Sequence, residues 1–265
     1  MKVKELENKT ALVTGASRGI GRAISLTLAR AGAQLILAGR NLVELNETSR
    51  LISELKIGPD PLVCQMDLLN VSTIESAVKN ALDSFGRIDI LVNNSGITGK
   101  SAKLWELDES EWDEAIDTNL KGPFLLSKAV IPSMIAKQSG SIIFIGSVTG
   151  KRPLVNRSVY AASKLGLVAM MRTLALELAR EGVRVNLISP GFVAGPRLDG
   201  VIAQVAIDEG TTAQEMESKW LDMVPTGKFV TPENIAQGVL FFASDRSGAT
   251  TGEDLNISGG LVMYS

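Results

Sequence analysis

The sequence predicts an α/β fold, a doubly wound parallel sheet covered by helices on both faces. Short β-rich apolar runs alternate with longer amphipathic stretches from one end to the other, which is the pattern of βαβ units. The runs ILVN, SIIFIG and RVNLIS are apolar without alternation, as strands buried on both faces must be. With 265 residues and 45% hydrophobic composition the chain can bury one substantial core, so a single domain over 1–265 is expected.

Taken in order, strands are expected at Ala11 to Thr14, Leu35 to Ala38, Leu62 to Cys64, Ile90 to Val92, Ser141 to Ile145, Val183 to Ile188 and Leu255 to Ile257, with helices between them. One irregular stretch, 196–230, lies between the sixth strand and the helix start Thr231-Pro232-Glu233. It follows the carboxyl end of a strand, the edge where open α/β sheets bind ligands, and is the candidate substrate lid.

Composition narrows the chemistry. No histidine is present, which excludes Ser/His/Asp hydrolysis, Cys/His proteolysis and histidine-based zinc sites; no metal site is expected. Cys64 is the one cysteine, so an intrachain disulfide is impossible and a reducing compartment fits. A formal net charge of -2 with no dense Lys/Arg run points away from nucleic acid and from membrane surfaces. The opening MKVKELENKT has no apolar signal core and no stretch of about 18 apolar residues stands out, so a soluble, cytoplasmic protein is expected.

After the first strand comes Thr14-Gly15-Ala16-Ser17-Arg18-Gly19-Ile20-Gly21, a glycine-rich turn that opens a helix. Such a turn lets backbone approach a pyrophosphate while helix N–H groups point at it. The second strand ends Leu37-Ala38-Gly39-Arg40, roughly 20 residues on, where an NAD enzyme places an acid for the ribose 2'-hydroxyl. No acid stands there. Arg40 and Arg18 offer two guanidinium groups to a 2'-phosphate instead, which favours NADP(H). Asp67, next to Leu68 after the third strand, is a candidate acceptor for the adenine amino group or, equally, a cap for the helix from Val71. Asn94 and Gly96, in Asn93-Asn94-Ser95-Gly96, let the chain pass close to a cofactor.

Ser147 follows the fifth apolar run, and Tyr160-Ala161-Ala162-Ser163-Lys164 opens a long helical stretch. Residues four apart share a helix face, so the Lys164 ammonium reaches the neighbourhood of the Tyr160 hydroxyl. An ordinary tyrosine titrates near 10, and a nearby cation favours its phenolate. Tyr160 is therefore read as the proton donor to a developing alkoxide, Ser147 as the hydrogen-bond donor to the carbonyl oxygen, and Lys164 as the group that tunes Tyr160 and bonds the nicotinamide ribose. Asn119 is read as the holder of a water that links Lys164 to solvent.

In this order TGASRGIG, Asp67, NNSG, Asn119, Ser147, YAASK and Pro190-Gly191 resemble the short-chain dehydrogenase/reductase family across essentially the whole chain. The resemblance implies a Rossmann-type seven-stranded sheet ordered 3-2-1-4-5-6-7, NADP(H) across its carboxyl edge, and the tetrad Asn119, Ser147, Tyr160 and Lys164. It also implies cofactor contacts from Pro190, and a homotetramer or homodimer built from the stretches 119–136 and 159–181, with Ala161, Ala162, Gly166 and Ala169 as its small residues. Three departures stand out. NNSG replaces NNAG, Ser258-Gly259-Gly260 replaces D-G-G, and Phe192-Val193-Ala194-Gly195 lacks the threonine many members use on the nicotinamide amide, which leaves backbone such as Val193. The expected substrate is a free small alcohol or ketone. The alternative is a 3-oxoacyl thioester, although Gln138 and Glu181 stand where carrier-protein-docking relatives use arginines. A cofactor-sensing protein without catalysis is the remote third.

Overall fold

The computed structural model describes residues 4–264. Its seven strands are β1 (Thr10–Thr14), β2 (Gln34–Gly39), β3 (Leu62–Gln65), β4 (Ile90–Asn93), β5 (Gly140–Ile145), β6 (Val183–Pro190) and β7 (Asp254–Ile257). All pairings are parallel and the order is β3-β2-β1-β4-β5-β6-β7, as the resemblance implied. Between the strands run α1 (Gly19–Arg30), α2 (Leu42–Ser53), α3 (Val71–Phe85), α4 (Glu109–Ile116), α5 (Gly122–Lys137), α6 (Ser158–Leu178), α7 (Pro196–Glu209), α8 (Ala213–Asp222) and α9 (Pro232–Ala243).

Successive strand residues point to opposite faces, so a sheet covered twice needs apolar residues at every position. Leu12, Ile36, Leu91 and Ile142 join one core with helices α3, α5 and α6, while their neighbours Val13, Leu37, Val92 and Ile143 join the other with α1, α2 and α9. Cys64 is buried in the first of these, the packing role its surroundings in sequence suggest. Burial pushes its thiol pKa up.

Helix ends follow local chemistry. Asn70, not Asp67, caps α3: its side chain accepts from Ser72 N. Asp67 instead closes a tight turn, Oδ1 accepting from Leu69 N at 3.0 Å. Thr231 caps α9 with Pro232 at the first helical position, the helix start read from sequence. Ser158–Glu181, of mean hydropathy 1.3, is long and apolar enough by length and composition to span a membrane. Here one face of that helix packs into the core through Leu167, Met171 and Leu178.

The 196–230 stretch forms two helices, α7 and α8, with their own small core of Phe192, Leu198, Ile202, Met216, Trp220 and Val224. Phe192 stacks on Trp220 with ring centroids 4.6 Å apart. Leu198, Met216 and Trp220 are buried in this packing.

Candidate active site

At the carboxyl end of β1 the chain turns through Gly15, whose φ of 62° lies in the left-handed region that favours glycine. A Cβ on Gly21 would stand 2.0 Å from the Gly15 carbonyl oxygen, so the turn closes on α1 only with glycine there. The first turn of α1 has no side-chain cap and no acid, which leaves its N–H groups and its positive end to a ligand. The exposed Gly19 and part-exposed Ile20 begin the helix, and Ser17 is tied back: Thr48 Oγ1 donates to the carbonyls of Ala16 and Ser17 at 3.0 and 3.2 Å, and Arg22 donates to Thr48 Oγ1 at 3.0 Å.

The two arginines read as phosphate ligands lie at this end and face water. Arg40 is exposed just past β2, and the Arg18 side chain is 78% exposed. Sequence reading put no acid near them. The fold brings one: Glu44, in the first turn of α2, stands 3.9 Å from Arg18.

At the end of β4, Asn94 Nδ2 donates to the Thr14 carbonyl at 2.8 Å, while Thr14 Oγ1 accepts from Asn94 N and Ser95 N at 2.9 Å each. The β4 end is thereby fastened to the glycine turn. The extra hydroxyl of NNSG sits beside Gly15. Gly96 lies next, where a Cβ would be 3.0 Å from Asn119 Oδ1 and 3.3 Å from Lys164 Nζ.

Asn119 is fully buried in a π-turn, Asp117–Lys121, that joins α4 to α5. Its side chain clamps Ile97, accepting from Ile97 N at 2.8 Å and donating to Ile97 O at 2.9 Å, and donates to Ser163 Oγ at 3.1 Å. The amide is therefore spent on structure and does not itself reach out to a water. Leu68, buried after β3, packs against Gly122 at the start of α5.

Ser147 follows β5 directly. Its Oγ accepts from Thr149 N at 3.1 Å, which starts a short turn whose Gly150 packs on the α6 backbone at Leu165. Tyr160 stands in the first turn of α6, half-buried. Lys164, one turn on and 5% exposed, has its Nζ 5.8 Å from the Tyr160 ring centroid and donates to the Ile145 carbonyl, the last of β5, at 2.9 Å. No carboxylate acts on it. Burial first, then the Arg197 cation, push its pKa down from 10.5 to about 7, so without a bound acceptor this amine is near half-neutral at neutral pH.

Past β6, which ends at Pro190, Phe192 and Ala194 bond Val230 through their backbones, Val230 N to Phe192 O at 3.0 Å and Ala194 N to Val230 O at 2.9 Å. Val193, between them, keeps its own N–H and C=O out of that bridge. Ser258, where the resemblance expects Asp, accepts from Val262 N at 3.3 Å and donates to Val262 O at 3.4 Å, which closes the C-terminal turn.

A family model described as Enoyl-(Acyl carrier protein) reductase matches residues 15–262. The chain belongs to the short-chain dehydrogenase/reductase family. Similar curated proteins include the 3-oxoacyl-[acyl-carrier-protein] reductase FabG of Thermotoga maritima, 37% identical over 97% of this chain and 99% of that protein. The protein of the same name from Salmonella typhimurium is 37% identical over 97% and 98%. Among solved structures, levodione reductase superposes with a TM-score of 0.91 at 29% identity, over 96% of this chain and 98% of that one. A point variant of actinorhodin polyketide ketoreductase, solved with NADPH, does so with a TM-score of 0.91 at 33% identity, over 97% and 98%.

As a short-chain dehydrogenase/reductase the chain is an oxidoreductase of the alcohol/ketone type. Most of the residues read from sequence lie at or just past the carboxyl ends of β1 to β6; Asn119 lies in the π-turn between α4 and α5, and Tyr160 and Lys164 lie in α6. Sequence reading missed the fasteners: Thr14, Arg22 and Thr48, which hold the glycine turn, and Lys151. Lys151, buried at the end of the Ser147 turn, pairs with Asp254 at 2.8 Å and donates to Asn256 at 2.7 Å. It also missed Arg197 of α7, which donates to the Gly96 carbonyl at 3.0 Å and so ties α7 to the site. None of these has a motif of its own; their partners are between 26 and 105 residues away.

Proposed function

We propose that this short-chain dehydrogenase/reductase is a cytoplasmic, NADP(H)-dependent enzyme that interconverts the alcohol and ketone of a free small molecule. The observation that carries the reading is Lys164 Nζ, bonded to the end of β5 and 5.8 Å from the Tyr160 ring, on the edge where Ser147 leaves that strand. The residues present fit a dinucleotide: the uncapped N-terminus of α1 meets a glycine turn too tight for side chains. The actinorhodin ketoreductase variant, solved with NADPH, supports NADP(H).

When bound, the nicotinamide supplies or takes the hydride. The Tyr160 hydroxyl gives its proton to the substrate oxygen in reduction and takes it back in oxidation. Ser147 Oγ already accepts from Thr149 N, so its own proton is free to be donated to that oxygen. Lys164 spends one N–H on Ile145, so its others would be available to the ribose hydroxyls, and the backbone of Val193, left out of the Val230 bridge, would meet the carboxamide. Asn119, whose side-chain amide is spent on Ile97 and Ser163, has only its backbone carbonyl left with which to hold a water toward Lys164. Arg18 and Arg40 meet the 2'-phosphate, Asp67 the adenine, and α7 and α8 form the lid of a single domain.

A 3-oxoacyl thioester is the second reading, favoured by the names of the relatives. Gln138 and Glu181 bring no positive charge to the place where carrier-protein docking needs it. The test is NADPH oxidation over keto sugars, cyclic ketones, keto acids and 3-oxoacyl thioesters. Turnover of a free ketone is expected; turnover of thioesters alone overturns the choice of substrate.

Assembly through α5 and α6 belongs to the same proposal. Phe124, Leu165 and Leu176 are 47%, 51% and 84% exposed there, beside an apolar hollow of about 280 Å³ lined by Phe124, Ile131, Met170 and Leu174. Gly166 takes no part, since it packs on Leu120 of its own chain. Sedimentation is expected to give a dimer or tetramer at micromolar concentration; a monomer refutes it.

A further inference from the structure

Arg157 stands just before the first turn of α6, three residues upstream of Tyr160, and is only 8% exposed. A guanidinium leaves water at a high cost unless carboxylates or hydrogen-bond acceptors replace the water. Among the described residues its side chain has neither an ion pair nor a hydrogen bond. Burial pushes its pKa below the ordinary arginine value, against the pull of Tyr160 and Asp208. Asp208, near the end of α7, is itself engaged by Gln204 at 2.9 Å.

The residues on either side share this condition. Asn156 Oδ1 and Ser158 Oγ are buried without a partner, and Asn156 is held at a φ of 63°, which costs a non-glycine residue energy. Buried polar atoms in folded proteins nearly always find partners, so two such atoms flanking a guanidinium with no ion pair or hydrogen bond mark a place where something other than this chain supplies them.

The location separates that partner from the cofactor's phosphates. Leu154 packs against the core of α7 and α8, and the Asn156 carbonyl accepts from Ala102 N at 3.2 Å, in the segment after β4. Arg157 thus lies between Tyr160 and α7, whereas the glycine turn is at the end of β1, with β4 between it and β5. A second cation, Arg197, bonds the Gly96 carbonyl and acts on Lys164, and among the described residues no carboxylate acts on Lys164. The chemical end of the site carries an excess of positive charge.

We propose that Arg157 anchors a carboxylate of the substrate, so that the enzyme's substrate is a small oxo acid and its product the matching hydroxy acid. The planar fork of a guanidinium meets a carboxylate with two parallel hydrogen bonds, and the low dielectric around Arg157 strengthens both. The proposal rests on the reductase reading and names the substrate class for it.

The test uses a series of 2-, 3-, 4- and 5-oxo acids and their methyl esters, which match in shape and differ in charge. Each is offered as a substrate with NADPH and, separately, titrated calorimetrically into the protein with NADP+, with which a ketone does not react. For at least one pair the acid is expected to exceed the ester tenfold or more in both measurements. In Arg157→Gln that ratio falls to near one, and Arg157→Lys keeps part of it. Esters equal to or better than every acid, or a ratio unchanged in Arg157→Gln, overturns the proposal. Should Arg157→Gln not fold, Arg157→Lys, which keeps the charge and loses the fork, must lower the ratio at least threefold, and an unchanged ratio overturns it. Acid-selective binding without turnover of any ketone supports the subsite and counts against the reductase reading.

Discussion

At the glycine-turn end of the sheet edge, Arg18 is 78% exposed and stands 3.9 Å from Glu44, and Arg40 also faces water. At the other end, Lys164 and Arg157 are 5% and 8% exposed and, among the described residues, form no ion pair with a carboxylate. Exposed charges are screened and each contributes little until a ligand's own charge meets them; buried ones are shaped by the lost water, and their protonation becomes a property of the fold. On the proposed roles, cofactor choice is a matter of surface electrostatics, and proton transfer a matter of the interior.

The largest effect expected of a single substitution is at the buried end. Tyr160→Phe keeps the ring and removes the transferable proton, so turnover should fall by roughly 10²- to 10⁴-fold or beyond detection while NADPH affinity changes little. Steady-state rates with fluorescence titration of NADPH check this, and substantial residual kcat removes Tyr160 from the chemistry.

Next comes the pH dependence of stability. The pKa of Lys164 in the folded chain, about 7, lies below its ordinary 10.5. Between those values the unfolded chain holds a proton that the folded chain lacks, so the stability of the cofactor-free protein should rise with pH from about 7 toward 10.5. Lys164→Met should lose that share of the rise. Urea midpoints at several pH values measure it, and identical pH profiles in the two proteins would show that Lys164 stays charged when buried.

At the exposed end, Arg18→Ala with Arg40→Ala should cut the NADPH-over-NADH ratio of kcat/KM by roughly ten- to several-hundredfold, since each charge-assisted bond contributes about 1.5 to 3 kcal/mol before screening. Raising ionic strength should shrink the wild-type preference. A double mutant that keeps its preference would leave both arginines as solvated surface charges. The smallest effect is Glu44→Gln. An exposed pair is worth about 0 to 1 kcal/mol, so freeing Arg18 should raise NADPH preference only a few-fold. A fall instead would mean that Glu44 orients Arg18 for the phosphate.

Much of this was legible in the sequence, because the features involved are local. β4 and β5 were read to within a residue at each end, since an apolar run buried on two faces declares itself. β6 runs two residues further than read, to Pro190, because Ser189 and Pro190 pair with Asn256 and Ile257, near the other end of the sequence. Asp67 was read as a possible cap for α3, but it closes a tight turn on Leu69 N, and Asn70 caps the helix.

The sequence by itself determined the strand–helix alternation, the glycine turn, the Tyr160–Lys164 spacing on one helix face and the absence of histidine chemistry. Each depends on residues within a few positions of one another, or on composition. The tertiary structure decided what the charges mean. It buried Lys164 against Ile145 and lowered its pKa, and brought Glu44 to Arg18 and Arg197 to Gly96. Among the described residues it left Arg157, 8% exposed and near Tyr160, without an ion pair or hydrogen bond. Solvation and long-range electrostatics depend on which atoms displace water around a group, and those atoms come from segments that no local pattern connects.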